Sequence, residues 1–170
     1  RLARPDLIRS MGWYIGRCWC DAMHCLDLGI DQSVAASCLF KLVQEGVWGL
    51  TDDAGFKLAH VDYKVWCNRH GLAPCPGFEK SNLCPRGGDF PQFPQQAAEA
   101  SMTRYLMRWL RDVSDKPGVS AANHVSLSLA MLGNFVAFED VCDWNDRWLP
   151  SNARELIAKS MEGTLVCLNA

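Results

Sequence analysis

The sequence predicts a mainly α-helical protein, a bundle-like array of five helices preceded by one short strand. Apolar residues recur at the spacing of a helical face in four segments, a fifth segment is apolar nearly all round, and glycine and proline separate these segments. The aromatic-rich stretch at residues 13–20 lacks that spacing. With 170 residues, 49% hydrophobic and 21% charged, the chain is long enough for one domain with its own core.

The first two elements are predicted from the stretch at 13–20 and the segment that follows it. WYIGRCWC, residues 13–20, fits a short buried strand. A lone strand needs a partner for its backbone groups, so either its sheet neighbours precede this piece or the strand prediction is wrong. A helix is then predicted from Asp31 or Ser33 to a stop at Gly46. Its apolar face comprises Val34, Ala35, Cys38, Leu39, Leu42 and Val43.

A second helix is predicted from Asp52 or Asp53 to Gly71, because either carboxylate suits an N-cap. Its apolar face comprises Phe56, Ala59, Tyr63, Trp66 and Cys67. Residues 72–94 are dense in proline and glycine, and we expect a long irregular connection there without regular structure.

Three further helices complete the array. The third is predicted over 95–113, with an apolar stripe of Ala98, Met102, Leu106, Trp109 and Leu110. The fourth spans roughly 121–140 and is apolar nearly all round, which predicts a central position. After a tryptophan-bearing turn at 144–150, the last helix starts at Ser151. Its predicted apolar residues are Leu156, Ile157, Met161, Leu165 and Leu168.

Composition narrows the class of protein. The formal net charge is −2, so global charge does not indicate a nucleic-acid or anionic-membrane partner, and any such contact needs a local patch. The longest apolar run, 125–138, is too short and too polar to span a bilayer. No secretory signal is visible, and nine cysteines is an odd number. We therefore expect reduced thiols in a nuclear or cytoplasmic protein rather than a secreted one. Because the N-terminus lacks methionine, the chain is expected to be part of something longer.

Two groups of residues are candidate zinc ligands. The first group lies in one short run, so its side chains can hardly surround a zinc ion with tetrahedral geometry; it comprises Cys18, Cys20, His24 and Cys25. The second group is more widely spaced, and a zinc ion bound to it would cross-link the proline-rich loop; it comprises Cys67, His70, Cys75 and Cys84. The ordinary alternative for this second group is that Cys67 packs in a core and that His70 sits exposed near a helix C-terminus.

The segment Asp21-Ala22-Met23-His24 also admits two catalytic interpretations. Cys25 could act as a thiol nucleophile with His24, but adjacent side chains seldom face each other as a nucleophile and its base must. Asp21, at the end of a strand, could instead present a carboxylate to a hard divalent ion, with His24 one turn on to hydrogen-bond a ligand or phosphate. The structural alternative is that Asp21 only caps the following turn.

The segment DAMHCLDLGI, residues 21–30, resembles the Asp-x-x-His segment of eukaryotic DNA transposases of the CACTA and Plavaka-like group. The matching positions are Asp21, Met23, His24, Leu28 and Gly29. A weaker similarity continues through residues 95–110, which resemble a helix of the helical region in such proteins.

This resemblance implies that residues 1–30 are the end of an RNase H-like core, and that residues 31–170 are a helical insertion interrupted by the loop at 72–94. Asp21 would be the second of three acidic ligands for two Mg²⁺ or Mn²⁺ ions that cleave and join DNA in the full-length parent. One acid cannot hold two ions, so the chain alone is not expected to be active. The sequence departs from the family pattern because only Asp6 precedes this segment, and because no motif marks Glu139, Glu155 or Glu162 as the third acid.

DNA contact is predicted for three arginines of the third helix. Arg104, Arg108 and Arg111 share one helical face, and guanidinium groups suit phosphate oxygens. The alternative is an ordinary solvated face. The rival to a transposase is a non-enzymatic helical interaction domain, derived from a mobile element, in which Asp21 and His24 are structural. The sequence leaves open whether the protein forms a homo-oligomer.

Overall fold

The computed structural model describes residues 29–49, 53–83, 91–93, 99–116, 119, 123–144 and 150–169. Six helices lie within these ranges: α1 Asp31–Gln44, α2 Asp53–His70, α3 Lys80–Leu83, α4 Ala100–Ser114, α5 Asn123–Trp144 and α6 Ser151–Asn169. The described part of the chain contains no strand, which confirms the mainly α class. The strand predicted at 13–20 and residues 1–28 of the predicted RNase H-like segment lie outside the described residues.

Glycines mark the ends of α1 and α2, as the sequence predicts. Gly46 and Gly71 follow the two helices with φ of 71° and 68°, a left-handed conformation that glycine adopts without steric cost. The start of α1 at Asp31 is also confirmed, and its predicted apolar face is buried. In α2 the predicted face is buried at Phe56, Ala59, Tyr63 and Cys67, while Trp66 is half-buried.

Three predictions about the helices are wrong, one on the irregular segment and two on helix ends. A short helix, α3, forms inside the segment expected to be irregular. Helix α4 begins at Ala100 rather than near residue 95, because Glu99 is extended, with φ −66° and ψ 163°. Helix α5 continues to Trp144, past the predicted end at Asp140; no glycine or proline interrupts residues 141–144.

The core lies where α1, α4 and α5 pack against one another, with α2 packed against α4 and α1. An aromatic cluster centred on Trp109 of α4 joins this helix to α2 and to the segments that follow α1 and α2. The Trp109 ring lies 5.7 Å from Trp48, 5.2 Å from Tyr63 and 5.6 Å from Phe78, measured between ring centroids. Aromatic side chains bury large apolar areas and add edge or stacking contacts, so this cluster is a main source of stability.

Helix α6 runs back along α5, with Gly163 against Asn134. The side that faces the protein carries small or polar residues, Ala153, Ser160 and Thr164, and the Thr164 hydroxyl donates to the Ser160 carbonyl at 3.1 Å. The predicted apolar stripe is therefore wrong in part: Leu156 and Leu165 are 51% and 60% exposed. Small residues occupy the buried side of α6 because they let this helix approach α5 closely.

Within the described ranges, no helix combines the length and apolar character needed to cross a bilayer.

Candidate functional site

The predicted catalytic pair Asp21 and His24 lies outside the described residues, together with Cys18, Cys20 and Cys25. Their assignment as a metal-binding carboxylate, its hydrogen-bonding neighbour and candidate zinc ligands stays a prediction. The other predicted site residues within the described ranges lie on or near helices α2 and α4.

The second candidate zinc group is only partly assembled. Cys67 and Cys75 are buried near the Tyr63 side chain, whereas His70 is exposed and Cys84 lies outside the described residues. Burial, followed by the nearby Cys67, raises the pKa of Cys75 to about 12, and burial also raises that of Cys67. Zinc binds the thiolate form, so binding at these two cysteines would have to release both thiol protons. Across the described ranges, no three His, Cys, Asp or Glu side chains group to hold a metal ion.

Two of the three predicted DNA-contacting arginines are engaged in ion pairs between α4 and α5. The Arg104 guanidinium lies 2.9 Å from a carboxylate oxygen of Asp143. Arg108 lies 3.1 Å from Asp140 and 2.5 Å from Asp143. Partial burial opposes the charge of Arg108, but the hydrogen bond to Asp143 and the charge of Asp140 outweigh it and raise its pKa. These two arginines therefore tie α5 to α4 as well as facing solvent.

Arg111 differs from them, since its guanidinium makes no ion pair with an acid in the described part of the chain. It borders a groove of about 520 Å³ between the C-terminal half of α2, α4 and α5. The groove is also lined by Trp66, His70, Tyr105, Arg108 and Asp112. Helical spacing explains the arrangement, because Tyr105, Arg108 and Asp112 recur once per turn along α4.

Hydrogen bonds fix the aromatic side of this groove. The Trp66 indole Nε1 donates to Asp112 across 2.7 Å, which links α2 to α4. The His70 Nδ1 donates to the Trp66 carbonyl at 2.8 Å, since a carbonyl oxygen can only accept. The two rings lie 4.2 Å apart at 30°. The Nε2 atom of His70 has no partner among the described residues, so the groove offers it and Arg111 to a ligand.

Sequence reasoning identified only part of this site. The sequence predicts Arg111 as a DNA contact and His70 as a zinc ligand or an exposed helix-end residue, but no sequence feature places the two together. The apolar spacing of α2 puts Trp66 on its buried face, and no motif marks Tyr105. The available signal was the four-residue step from Trp66 to His70, which puts both rings on one side of α2.

The groove combines cationic donors with aromatic rings, and such a combination suits a planar ligand that carries an anionic group. The planar guanidinium of Arg111 supplies several hydrogen-bond donors in fixed positions, and the rings of Trp66 and His70 supply an aromatic surface. Comparison of the chain with protein-family models, with curated proteins and with solved structures gave no match.

Proposed function

We propose that this chain is a piece of a transposase-like protein whose helical region contacts DNA. The similarity of residues 21–30 to the Asp-x-x-His segment supports the assignment, and Asp21 would be one acidic ligand of Mg²⁺ or Mn²⁺ in the full-length parent. Strand cleavage and joining are assigned to that parent, since the chain supplies one such acid. Residues 1–30 would end the RNase H-like core, and residues 31–170 would form the helical region.

The observation that carries DNA contact is the open guanidinium of Arg111 beside the groove. An arginine already held by a carboxylate must give up that ion pair to bind phosphate, whereas Arg111 has no such pair to lose within the described ranges. The described part of α4 thus offers one ready phosphate contact, with Arg104 and Arg108 as contacts that compete with Asp140 and Asp143. Such contacts position DNA without reading its sequence.

Fluorescence anisotropy on a labelled duplex at several salt concentrations tests this proposal. Arg111→Ala should weaken binding and reduce the slope of log affinity against log salt by about 0.9, the contribution of one neutralised phosphate. Arg154→Ala is the matched control, because it removes the same charge from an exposed position on α6. Equal binding by both variants and the unaltered protein would reject Arg111 as a DNA contact.

The second candidate function is a helical interaction domain, and an exposed apolar stripe on α2 favours it. Leu58, Val61 and Val65 lie on the side of α2 opposite its buried face and are 43%, 51% and 43% exposed. Contiguous apolar surface of this kind marks contact sites in many proteins. If the stripe joins two copies of the chain, Val61→Asp should convert a dimer to a monomer in sedimentation velocity. A protein that is monomeric without the substitution would remove self-association from consideration.

A further inference from the structure

We infer that the groove between α2, α4 and α5 binds an unpaired nucleotide, with the base against His70 and Tyr105 and the phosphate on Arg111. This assignment rests on the proposed role of Arg111 in holding phosphate and names the ligand of that site. The ligand of this groove has one aromatic base and one phosphate, whichever of two sources it comes from. Its source is either a free mononucleotide or an unpaired nucleotide of a DNA strand.

The size of the groove selects an unpaired base. Its volume of about 520 Å³ lies within the range of about 300–1,000 Å³ that is usual for small-molecule sites. A base inside a duplex is stacked on both faces and paired along its edge, so it cannot enter such a site without leaving the helix. Leu72 and Val136 add apolar walls that could contact the base or sugar.

The aromatic side of the groove is organised before any ligand arrives. Trp66 is held by Asp112 at 2.7 Å and stacks on Tyr63 with 6.5 Å between ring centroids and an angle of 14°. The His70 ring lies beside Trp66, tilted by 30° with 4.2 Å between the ring centroids, and His70 is itself exposed. A base that joins the stack therefore orders few side chains, which lowers the entropic cost of binding.

Charge in the groove selects a phosphate of low charge. Asp140 is engaged by Arg108 at 3.1 Å and Asp112 by the Trp66 indole, so Arg111 is the open charged donor among these lining residues. The two carboxylates still repel a highly charged ligand. A monophosphate or a phosphodiester should therefore bind better than a triphosphate.

Isothermal titration of the whole chain tests the ligand class with four probes: adenosine 5′-monophosphate, adenosine, ribose 5-phosphate and adenosine 5′-triphosphate. The monophosphate should bind at least about tenfold more tightly than adenosine, which lacks the charge-assisted phosphate contact. It should exceed ribose 5-phosphate, which lacks the stacking base, by about the same factor. It should also bind more tightly than the triphosphate. Absence of binding by the monophosphate, or binding no tighter than ribose 5-phosphate, would overturn the inference.

Variants locate the two halves of the ligand. Arg111→Ala should lower the affinity for the monophosphate about tenfold and leave that for adenosine unchanged. Tyr105→Ala should weaken both, while Tyr105→Phe, which keeps the ring, should weaken neither. Arg154→Ala should behave as the unaltered protein. The assigned site is contradicted if Arg154→Ala loses affinity for the monophosphate. It is also contradicted if Arg111→Ala keeps the affinity of the unaltered protein.

Single-stranded and duplex oligonucleotides of equal length identify the source of the nucleotide. Tighter binding of the single strand than of the monophosphate supports a nucleotide within a strand, and equal binding supports a free nucleotide. Duplex binding that depends on Arg111, without any binding of the monophosphate, rejects the inference and leaves the proposed function intact. Monophosphate binding without binding of either the duplex or the single strand rejects DNA contact and keeps the groove as a nucleotide site.

Discussion

Tryptophan residues of this chain contribute very differently to stability because their surroundings differ. Trp109 is 1% exposed and contacts Trp48, Tyr63 and Phe78 in the aromatic cluster. Trp144, at the end of α5, is 80% exposed. The same residue type therefore anchors the core at one position and adds little buried area at the other.

Replacement of Trp109 by alanine should lower the free energy of unfolding by about 3–5 kcal/mol, since it removes buried aromatic area and leaves a cavity. Trp144→Ala should change it by less than about 0.5 kcal/mol. Urea-induced unfolding measures both. Similar losses in the two variants would show that the Trp109 cluster is not the centre of the core.

A buried thiol should make stability sensitive to alkaline pH. Burial raises the pKa of Cys38 from 9.0 to about 12, and its Sγ donates to the Ser128 carbonyl at 3.6 Å. The folded state thus keeps a proton that the unfolded state loses first as pH rises. The thiol's contribution is fully present below pH 9 and is lost between about pH 9 and 12.

In Cys38→Ala the fall in unfolding free energy across this range should be smaller than in the unaltered protein, by at most about 1.4 kcal/mol per pH unit. Urea unfolding at several pH values provides the measurement. Val136→Ala, a core substitution that keeps the thiol, should retain the original pH dependence. An identical alkaline loss in Cys38→Ala would exclude this thiol as its source.

At the scale of elements, two helical glycines of the α5–α6 pair differ in their surroundings. A Cβ at Gly163 of α6 would lie 2.7 Å from the Asn134 Nδ2, whereas a Cβ at Gly133 of α5 meets nothing within 4 Å. Alanine favours a helix over glycine at both positions, but only Gly163 lies where two helices approach closely.

Gly133→Ala should therefore raise the free energy of unfolding by about 0.5–1 kcal/mol, the usual helix-propensity gain. Gly163→Ala should be less stable than Gly133→Ala by at least about 1 kcal/mol, because the Asn134 amide must move. Thermal and urea unfolding compare the pair. A gain at Gly163 as large as at Gly133 would mean that Asn134 yields without cost.

The ion pairs between α4 and α5 allow a test of the remaining predicted arginines. Replacing Asp140 and Asp143 together by asparagine should remove the ion pairs that these two acids make with Arg104 and Arg108 and should leave more of the guanidinium donors for phosphate. Duplex affinity at low salt should rise, with a salt slope steeper by about 1–2, or about 0.9 for each added phosphate contact. The cost in stability should be about 1–2 kcal/mol, since the pairs are partly exposed and screened.

The control for this double variant is Glu155→Gln with Glu162→Gln, which removes the same two charges from exposed positions on α6. Its affinity for duplex DNA should rise less. Equal gains in the two double variants would attribute the effect to net charge and would remove Arg104 and Arg108 as specific contacts.

At the scale of the whole molecule, the helices are unequally supported. Helices α1, α4 and α5 form a mutually packed core, whereas α6 packs chiefly on α5 and exposes Leu165 and Val166 at 60% and 64%. An element with one packing neighbour buries less surface and opens at lower free energy than the core.

Native-state hydrogen exchange should therefore show faster exchange of the backbone amides of α6 than of α1 and α4. The free energy of opening that exchange gives for α6 should be lower than the global free energy of unfolding. The value for α4 should approach the global free energy. Protection of α6 equal to that of α4 would indicate a further packing surface for this helix, as expected if Leu165 and Val166 are covered by another chain.

The helical class and the C-terminal ends of α1 and α2 can be predicted from the sequence, because their signals are local. Gly46 and Gly71 end α1 and α2 because only glycine adopts their positive φ without cost, and that property needs no neighbours. The buried faces of α1 and α2 likewise follow from the spacing of their apolar residues.

The buried side of α6 and the ion pairs of the α4 arginines depend instead on how the helices pack in three dimensions. Ser160 and Thr164 are buried instead of Leu165 because α5 lies close to their side of the helix. Arg104 and Arg108 meet Asp143 from more than thirty residues away, while Arg111 meets the groove with His70. Packing between distant segments sets these contacts, and the spacing of residues within one helix carries no information about which partner it will meet.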